Sequence, residues 1–330
     1  IKTALSLRTF KNLFDIIRDK KEIYRYIKEI DPDIVAVNSM TLFWIGKIAK
    51  KLNKKTICFH RETYQKGLFG LRTKIIKQGL SKWFDKVAFI SKYDFKESGD
   101  VRAIKKVIYD RVDFNLFNNY SKSVARKVLS FSEEKKYILY LGGMSELKGS
   151  IIIMDAMKYL KNENIKLVFL CSVKNIEKPQ FSKLKSLKDK IKFLIKKDTK
   201  MKTLKILFNN GLENKVIFKE LTPRPELYYK ACDLIVFPST KPHQSRPIYE
   251  AGISKIPILI TDFDQTKEFA KDKFNVITFK KNDSKDLAEK IKMILQNKLD
   301  FNIIMNNNYK KTIENHNYET LKNDLDDLFS

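Results

Sequence analysis

Two stretches hold residues whose types and spacing could do chemistry. The first is YILYLGGMSELKGSIIIMDAM, residues 137–157, where Gly142 and Gly143 follow an apolar run and precede a helix-like segment starting near Gly149. Glycines at such a turn let the backbone come close to a ligand, and a helix amino terminus offers unpaired N–H groups with partial positive charge. Lys148 adds a full charge at the same end. Together they suit a diphosphate, although an ordinary strand-to-helix turn with a solvated lysine would read the same way. Neither GxxxxGK[ST] nor GxGxxG occurs, which sets aside the Walker loop and the dinucleotide fingerprint.

The second stretch is FPSTKPHQSRPIYEAGISKIPILITD, residues 237–262. An apolar strand ends at Phe237, an irregular loop runs through Arg246, and Pro247 suits the first turn of a helix. Glu250 then sits one turn inside, where a carboxylate can accept hydrogen bonds from neighbouring sugar hydroxyls. His243, Gln244, Ser245 and Arg246 crowd the same mouth. Taken singly, Glu250 could do no more than complement the helix dipole, and Arg246 could be a surface charge.

Other chemistries find little material. The three histidines are scattered, and Cys58, Cys171 and Cys232 lie far apart with no CxxC or CxxH spacing. No metal site is expected, and the cysteines read as buried thiols of a reducing compartment. The lack of paired carboxylates counts against a glycoside hydrolase.

The elements that must position these residues alternate between helix-like and strand-like patterns, the mark of an α/β chain. The spacing predicts a helix over 10–29, a strand in DPDIVAVNS, a helix over 42–52 and the strand KTICFH. A helix over 71–84 and the strand KVAFIS follow, and KVIYDRVDF closes the first half. A polar connection then leads to a new strand at Tyr137. The second half repeats the alternation through KLVFLC, a lysine-rich insert at 174–213, KVIFKE, PELYYKAC, DLIVFPS, PIYEAGIS, PILIT and DSKDLAEKIKMIL. The expected organisation is two doubly wound Rossmann-like domains with parallel sheets, spanning 1–132 and 133–308. A helical segment over 309–330 packs back across the molecule.

Composition sets the outer bounds. Hydrophobic residues at 43% and charged residues at 32% describe a globular chain rather than a disordered one. No run of 18 apolar residues occurs and the amino end shows no signal-peptide pattern. The chain opens without Met, which predicts that amino-terminal elements are missing. The formal charge is +27, which invites nucleic acid, an anionic membrane or phosphorylated substrates. A composition rich in Lys, Asn and Ile with only 10 Gly accounts for much of it. No nucleic-acid motif appears, and the aromatics fall at core spacing rather than between arginines, so no nucleic-acid partner is expected. In GLFGLRTKIIKQGLSKWFDK, Leu71, Ile75, Ile76, Leu80, Trp83 and Phe84 share one face, with Arg72, Lys74, Lys77, Lys82 and Lys86 elsewhere. Such a helix lies on anionic lipid or, more usually in a doubly wound domain, faces its own sheet.

The ordered set LGG, LKG, VIFKE, ACDLIVFPS, PIYEAG and SKIPILITD, over roughly 137–295, resembles family 4 of the retaining glycosyltransferases, and DPDIVAVNS, TICFHRE and VAFISKYDFKE fall where that family has its amino-domain strands. The resemblance implies a GT-B fold, two domains facing across a cleft, with the amino-terminal domain incomplete here. It implies a cytoplasmic enzyme that moves a sugar, with retention and without a metal or other cofactor, from a nucleotide-diphosphate sugar to a saccharide or lipid-linked acceptor. Surface polysaccharide synthesis and peripheral contact with the anionic inner face of the cell membrane go with that reading. By the same resemblance, Lys148 contacts the donor diphosphate, Gly142 is the first turn glycine, and Glu250 holds the donor ribose. Ile217, central in Val216 to Phe218, lies where the nucleobase is held, and His60 faces the transferred sugar as the catalytic candidate. His243, Gln244, Ser245 and Arg246 border the donor.

Two positions depart from the pattern. Pro242 stands where the first glutamate of Glu-x7-Glu is expected, with His243 or Gln244 as replacement contacts to the sugar. Gly143 stands where an arginine often follows the first glycine, so that diphosphate contact passes to Arg246 or is lost. These departures leave a second expectation open, a degenerate sugar-nucleotide-binding subunit of the same fold.

Overall fold

The computed structural model describes residues 7–64, 70–172, 176, 198–242, 246–296 and 301–330, with the side chains of 7–18 and 118 left aside. The chain divides into two compact units, Ile1–Asp110 with Leu321–Ser330, and Arg111–Thr320.

In the first unit, α1 (Leu7–Ile30) ends where Asp31 takes a left-handed φ of 49° and Pro32 follows. Then come β1 (Ile34–Val37), α2 (Trp44–Lys51), β2 (Lys55–His60), α3 (Leu71–Trp83), β3 (Lys86–Phe89), α4 (Lys92–Ser98) and β4 (Ile104–Val107). The four strands pair in parallel in the order β1-β2-β3-β4. One side of the sheet buries Val37, Cys58, Val87 and Phe89 with Ile76, Leu80 and Phe84 from α3 and its end. The stripe on α3 therefore divides: Ile76 and Leu80 are core, while Leu71 and Ile75 remain 54% and 46% exposed.

In the second unit, α5 (Phe114–Asn118) and α6 (Lys122–Leu129) precede β5 (Lys136–Tyr140), α7 (Ser150–Tyr159), β6 (Ile165–Leu170) and α8 (Thr199–Asn209). Next are β7 (Val216–Lys219), α9 (Glu226–Ala231), β8 (Leu234–Phe237), α10 (Arg246–Ser254), β9 (Ile258–Thr261), β10 (Ile277–Phe279) and α11 (Ser284–Leu295). The chain ends with α12 (Phe301–Asn315) and α13 (Tyr318–Phe329). The six strands are parallel in the order β10-β9-β8-β5-β6-β7. The order reverses between β5 and β8, so loops leaving those two strands emerge side by side at the carboxyl edge. All three cysteines are free and buried.

Three differences from the sequence reading have physical causes. The polar connection after Phe117 contains α6, whose inward face is only Ala125, the stem of Arg126 and partly buried Leu129. That face is too small to register as an apolar stripe. Arg126 lies 2.8 Å from Asp233 and also donates to the Ala231 carbonyl, while Val112, Phe117 and Phe131 join the second core. The division consequently falls at Asp110/Arg111 and not at 132/133. At the other end, the helical tail is two helices: α12 packs on α10 in the second unit, whereas Leu328 packs with Ile57, Ala88 and Ile108 in the first. Finally, the lysine-rich insert includes α8, capped by the Asp198 carboxylate and burying Leu204 and Leu207.

Candidate active site

At the carboxyl edge of the second sheet, the turn from β5 to α7 folds on itself. Gly143 sits at φ 58° and its N–H donates to the Leu170 carbonyl at 3.1 Å; its own carbonyl accepts from the Tyr140 hydroxyl at 3.0 Å. A Cβ on Gly142 would overlap the Tyr140 hydroxyl and lie 2.6 Å from the Lys148 Cβ. The most confined position is Gly149, at φ 78°, where a Cβ would overlap the Pro238 carbonyl oxygen. Only glycine lets α7 start this close to the loop leaving β8.

That loop is fastened to the turn by two bonds. The Thr240 N–H donates to the Leu147 carbonyl at 2.9 Å, and its hydroxyl donates to the Glu146 carbonyl at 3.0 Å. The two stretches singled out in the sequence therefore meet. Thr240 and Gly149 make the junction and were not among the expected site residues; the glycine directly after Lys148 was the available signal.

Three amides of the turn are bonded within it. The N–H of Ser145 donates to the Gly143 carbonyl, that of Gly149 to Glu146, and that of Ser150 to Ser145. Lys148 is half-buried, its Nζ lies 5.2 Å from the Phe237 ring centroid, and it has no acidic partner among the described residues. Burial pulls its ammonium down to about 8. A desolvated, unpaired cation of this kind gains most from an incoming anion.

Glu250 is 9% exposed on α10. One carboxylate oxygen accepts from the fully buried Tyr229 hydroxyl at 2.7 Å and the other from Arg246 Nε at 2.8 Å. Tyr229 is held far above its ordinary value by burial and by the adjacent carboxylate. A carboxylate offers about four acceptor positions, so Glu250 keeps capacity for hydroxyl donors. Arg246 is used here as the carboxylate's partner. Ile217 lies on β7, the edge strand, opposite Val168. His243, Gln244 and Ser245 lie outside the described residues.

His60 belongs to the first unit, as the last residue of β2. Its ring sits 4.5 Å from Tyr64 and 4.9 Å from Phe89 between centroids, it is 0% exposed, and neither nitrogen has a hydrogen-bond partner among the described residues. Burial drives its pKa down to about 4, so the imidazole is neutral at physiological pH. Beside it, Glu62 accepts from the Ser39 hydroxyl and from Met40 N–H, and Arg61 pairs with Asp110. Those contacts tie together the carboxyl ends of β1, β2 and β4.

The family model described as glycosyl transferases group 1 matches residues 121–316. The chain belongs to the group 1 glycosyltransferases. No curated protein sequence matches it. Among solved structures, HepE from Anabaena in complex with UDP superposes with a TM-score of 0.73 at 17% identity, covering 94% of this chain and 81% of that one. Sucrose-phosphate synthase from Thermosynechococcus elongatus gives 0.76 at 15%, covering 99% and 80%. A glycosyltransferase from Rickettsia africae gives 0.68 at 19%, covering 99% and 83%. These likenesses establish the GT-B fold, with a parallel sheet in each unit. Within this group 1 glycosyltransferase, the matched segment contains the Gly142–Gly149 turn, the Thr240 junction and Glu250.

Two outcomes follow from the geometry. Gly149→Ala forces a left-handed backbone on alanine and pushes it into a carbonyl, so it should destabilise the second unit by about 3 kcal/mol, read by urea unfolding. His60 binds its proton more weakly in the folded state (about 4) than in the unfolded chain (6.5). Stability should therefore fall as pH drops from 6.5 to 4, by about 3 kcal/mol in total. His60→Phe should flatten that part of the stability–pH curve; an unchanged curve would show that other groups set it.

Proposed function

We propose that the chain transfers a sugar, with retention, from a nucleoside-diphosphate donor to a saccharide or lipid-linked acceptor. The observation that carries this reading is Lys148: half-buried, without an acidic partner among the described residues, and placed at the switch point of the second sheet beside backbone cleared by Gly142 and Gly149. As the bond from sugar to diphosphate breaks, negative charge grows on the departing oxygens, and a fixed cation with few reorganising waters stabilises it. Lys148 then supplies locally the charge that a bound divalent ion would otherwise bring, in keeping with a reaction that needs no metal. Glu250 receives the ribose hydroxyls on its remaining acceptor positions while Tyr229 and Arg246 hold it in place. Ile217 flanks the base, and His243, Gln244 and Ser245 border the sugar. His60, a neutral imidazole with both nitrogens unpartnered, is assigned to the transferred sugar. HepE has been crystallised with UDP, with UDP and glucose, and with UDP-glucose, which makes a uridine donor the first to try. A role in surface polysaccharide synthesis at the cytoplasmic side of the membrane belongs to the same proposal.

Thermal unfolding with UDP, GDP, ADP and their sugars tests the donor site. One base should stabilise; at 100 times its dissociation constant a ligand adds about 2.7 kcal/mol. Glu250→Ala should reduce the shift. Affinity for the diphosphate should fall as pH rises past about 8, where free Lys148 loses its proton, and Lys148→Met should abolish that pH dependence. No shift with any nucleotide would overturn the reading. A shift without sugar transfer would favour the degenerate subunit, which Pro242 in place of the usual glutamate also favours.

The exposed part of the α3 stripe supports membrane contact. Ile75, Tyr24 and Trp44 share a groove of about 730 Å³ with Lys20, Lys21, Arg25, Lys47 and Lys51, and no acidic residue lines it. Aromatic rings beside lysines suit an anionic lipid surface. The protein should sediment with anionic vesicles at low salt, and Lys20→Glu with Lys47→Glu should release it; equal sedimentation with neutral vesicles would refute the assignment. No helix among the described residues is long and apolar enough to cross a membrane.

A further inference from the structure

The second unit has another basic recess, at the amino edge of its sheet and so at the other end of the strands from Lys148. Lys136 opens β5, Asp233 precedes β8 and Pro257 precedes β9, and all three line a cavity of about 820 Å³. Lys122, Lys230 and Lys255 line it too, and Asp233 is the one carboxylate among the lining residues.

That carboxylate is already committed. Asp233 takes Lys122 at 2.6 Å and the buried Arg126 at 2.8 Å, accepts from the Tyr137 N–H at 2.8 Å, and has Lys136 at 3.9 Å. Lys230 and Lys255 have no ion-pair partner among the described residues. Lys230 is half-buried, and burial together with the Lys255 charge lowers its pKa. Lys255 holds a left-handed φ of 52°, which glycine would adopt at lower cost, and its Nζ stands 4.3 Å from the Tyr309 ring centroid. Ser254, which also lines the cavity, is 5% exposed and its hydroxyl has no hydrogen-bond partner among the described residues. Two like charges without a carboxylate partner among the described residues, Lys230 half-buried and Lys255 exposed, and an unsatisfied buried hydroxyl therefore meet at one cavity. An anion would relieve the charge repulsion. Ile256, Ile294, Phe301 and Met305 add apolar lining.

We propose that this cavity is an anion site, distinct from the donor turn, that takes a phosphate ester. The phosphate meets Lys230 and Lys255, with Lys136 at the rim, and the organic part lies against Ile294 and Phe301. A multiply charged phosphate matches this arrangement better than a single carboxylate, since two point-charge ammonium groups must be neutralised at once. Its volume falls in the range that accepts a small organic ligand. The inference does not draw on the donor reading.

Lysine acetylation of the full chain, read by mass spectrometry with and without inorganic pyrophosphate at constant ionic strength, tests it directly. Pyrophosphate should lower the labelling of Lys230 and Lys255 several-fold, with Lys148 reporting the donor turn in the same sample. Equal labelling of Lys230 and Lys255 in both conditions overturns the proposal, whatever Lys148 does. As a second measurement, a Lys148→Met protein should still melt at higher temperature with pyrophosphate, and adding Lys230→Met and Lys255→Met should remove that rise. A Lys148→Met protein that gains nothing from pyrophosphate also overturns it.

Discussion

The second unit is organised around one close backbone approach, that of Gly149 to the Pro238 carbonyl. A doubly wound sheet places the loops after β5 and β8 side by side but does not say how near they come. The missing Cβ at Gly149 permits near contact, and Thr240 then bonds to the two carbonyls preceding Lys148. This sets the start of α7 against the loop leading to α10. Lys148 is placed by the first side of that junction, and the route to Glu250 begins from the second. A side chain at Gly149 would separate the two.

Charge is distributed unevenly around this frame. Several acidic groups of the chain serve as structural ties: Asp85 holds Lys50 and the Thr56 backbone, Asp110 holds Arg61, and Asp233 gathers Arg126, Lys122 and the Tyr137 N–H. With 66 basic against 39 acidic residues, ties of this kind leave many cations without partners. At the surface that costs little, because water and salt screen them. At Lys148 and Lys230 the cation is partly desolvated, and its ammonium form is weakened. Lys148 and Lys230 are thus among the places where positive charge is desolvated rather than screened. The carboxylate at Glu250 is treated in the opposite way, buried but held by Tyr229 and Arg246, so that it is oriented before any ligand arrives.

Element types were legible along most of the chain because strands buried on both faces read as short apolar runs. Those runs at Tyr137, Leu234 and Ile258 needed no tertiary knowledge. The Gly142–Gly143 pair at a strand-to-helix turn also stood out, because glycine is scarce in this chain, and Lys148 drew notice by its place beside it. Less legible were α5 and α6, where burial depends on Ala125 and on the stem of Arg126. A charged residue that becomes 3% exposed by pairing with Asp233, more than a hundred positions away, has no local signature.

The sequence by itself determined the alternation of strands and helices, the parallel sheets, and the two stretches that carry the candidate chemistry, because each depends on periodicity or on residue type within one turn of chain. Only the tertiary structure decided how those stretches combine. It showed that three amides of the turn are bonded within it, that Glu250 is already paired with Tyr229 and Arg246, and that His60 is enclosed. It also moved the division between units to Asp110/Arg111. Each of these depends on which groups lose water and which partners they meet, and that is set by contacts between residues distant in sequence.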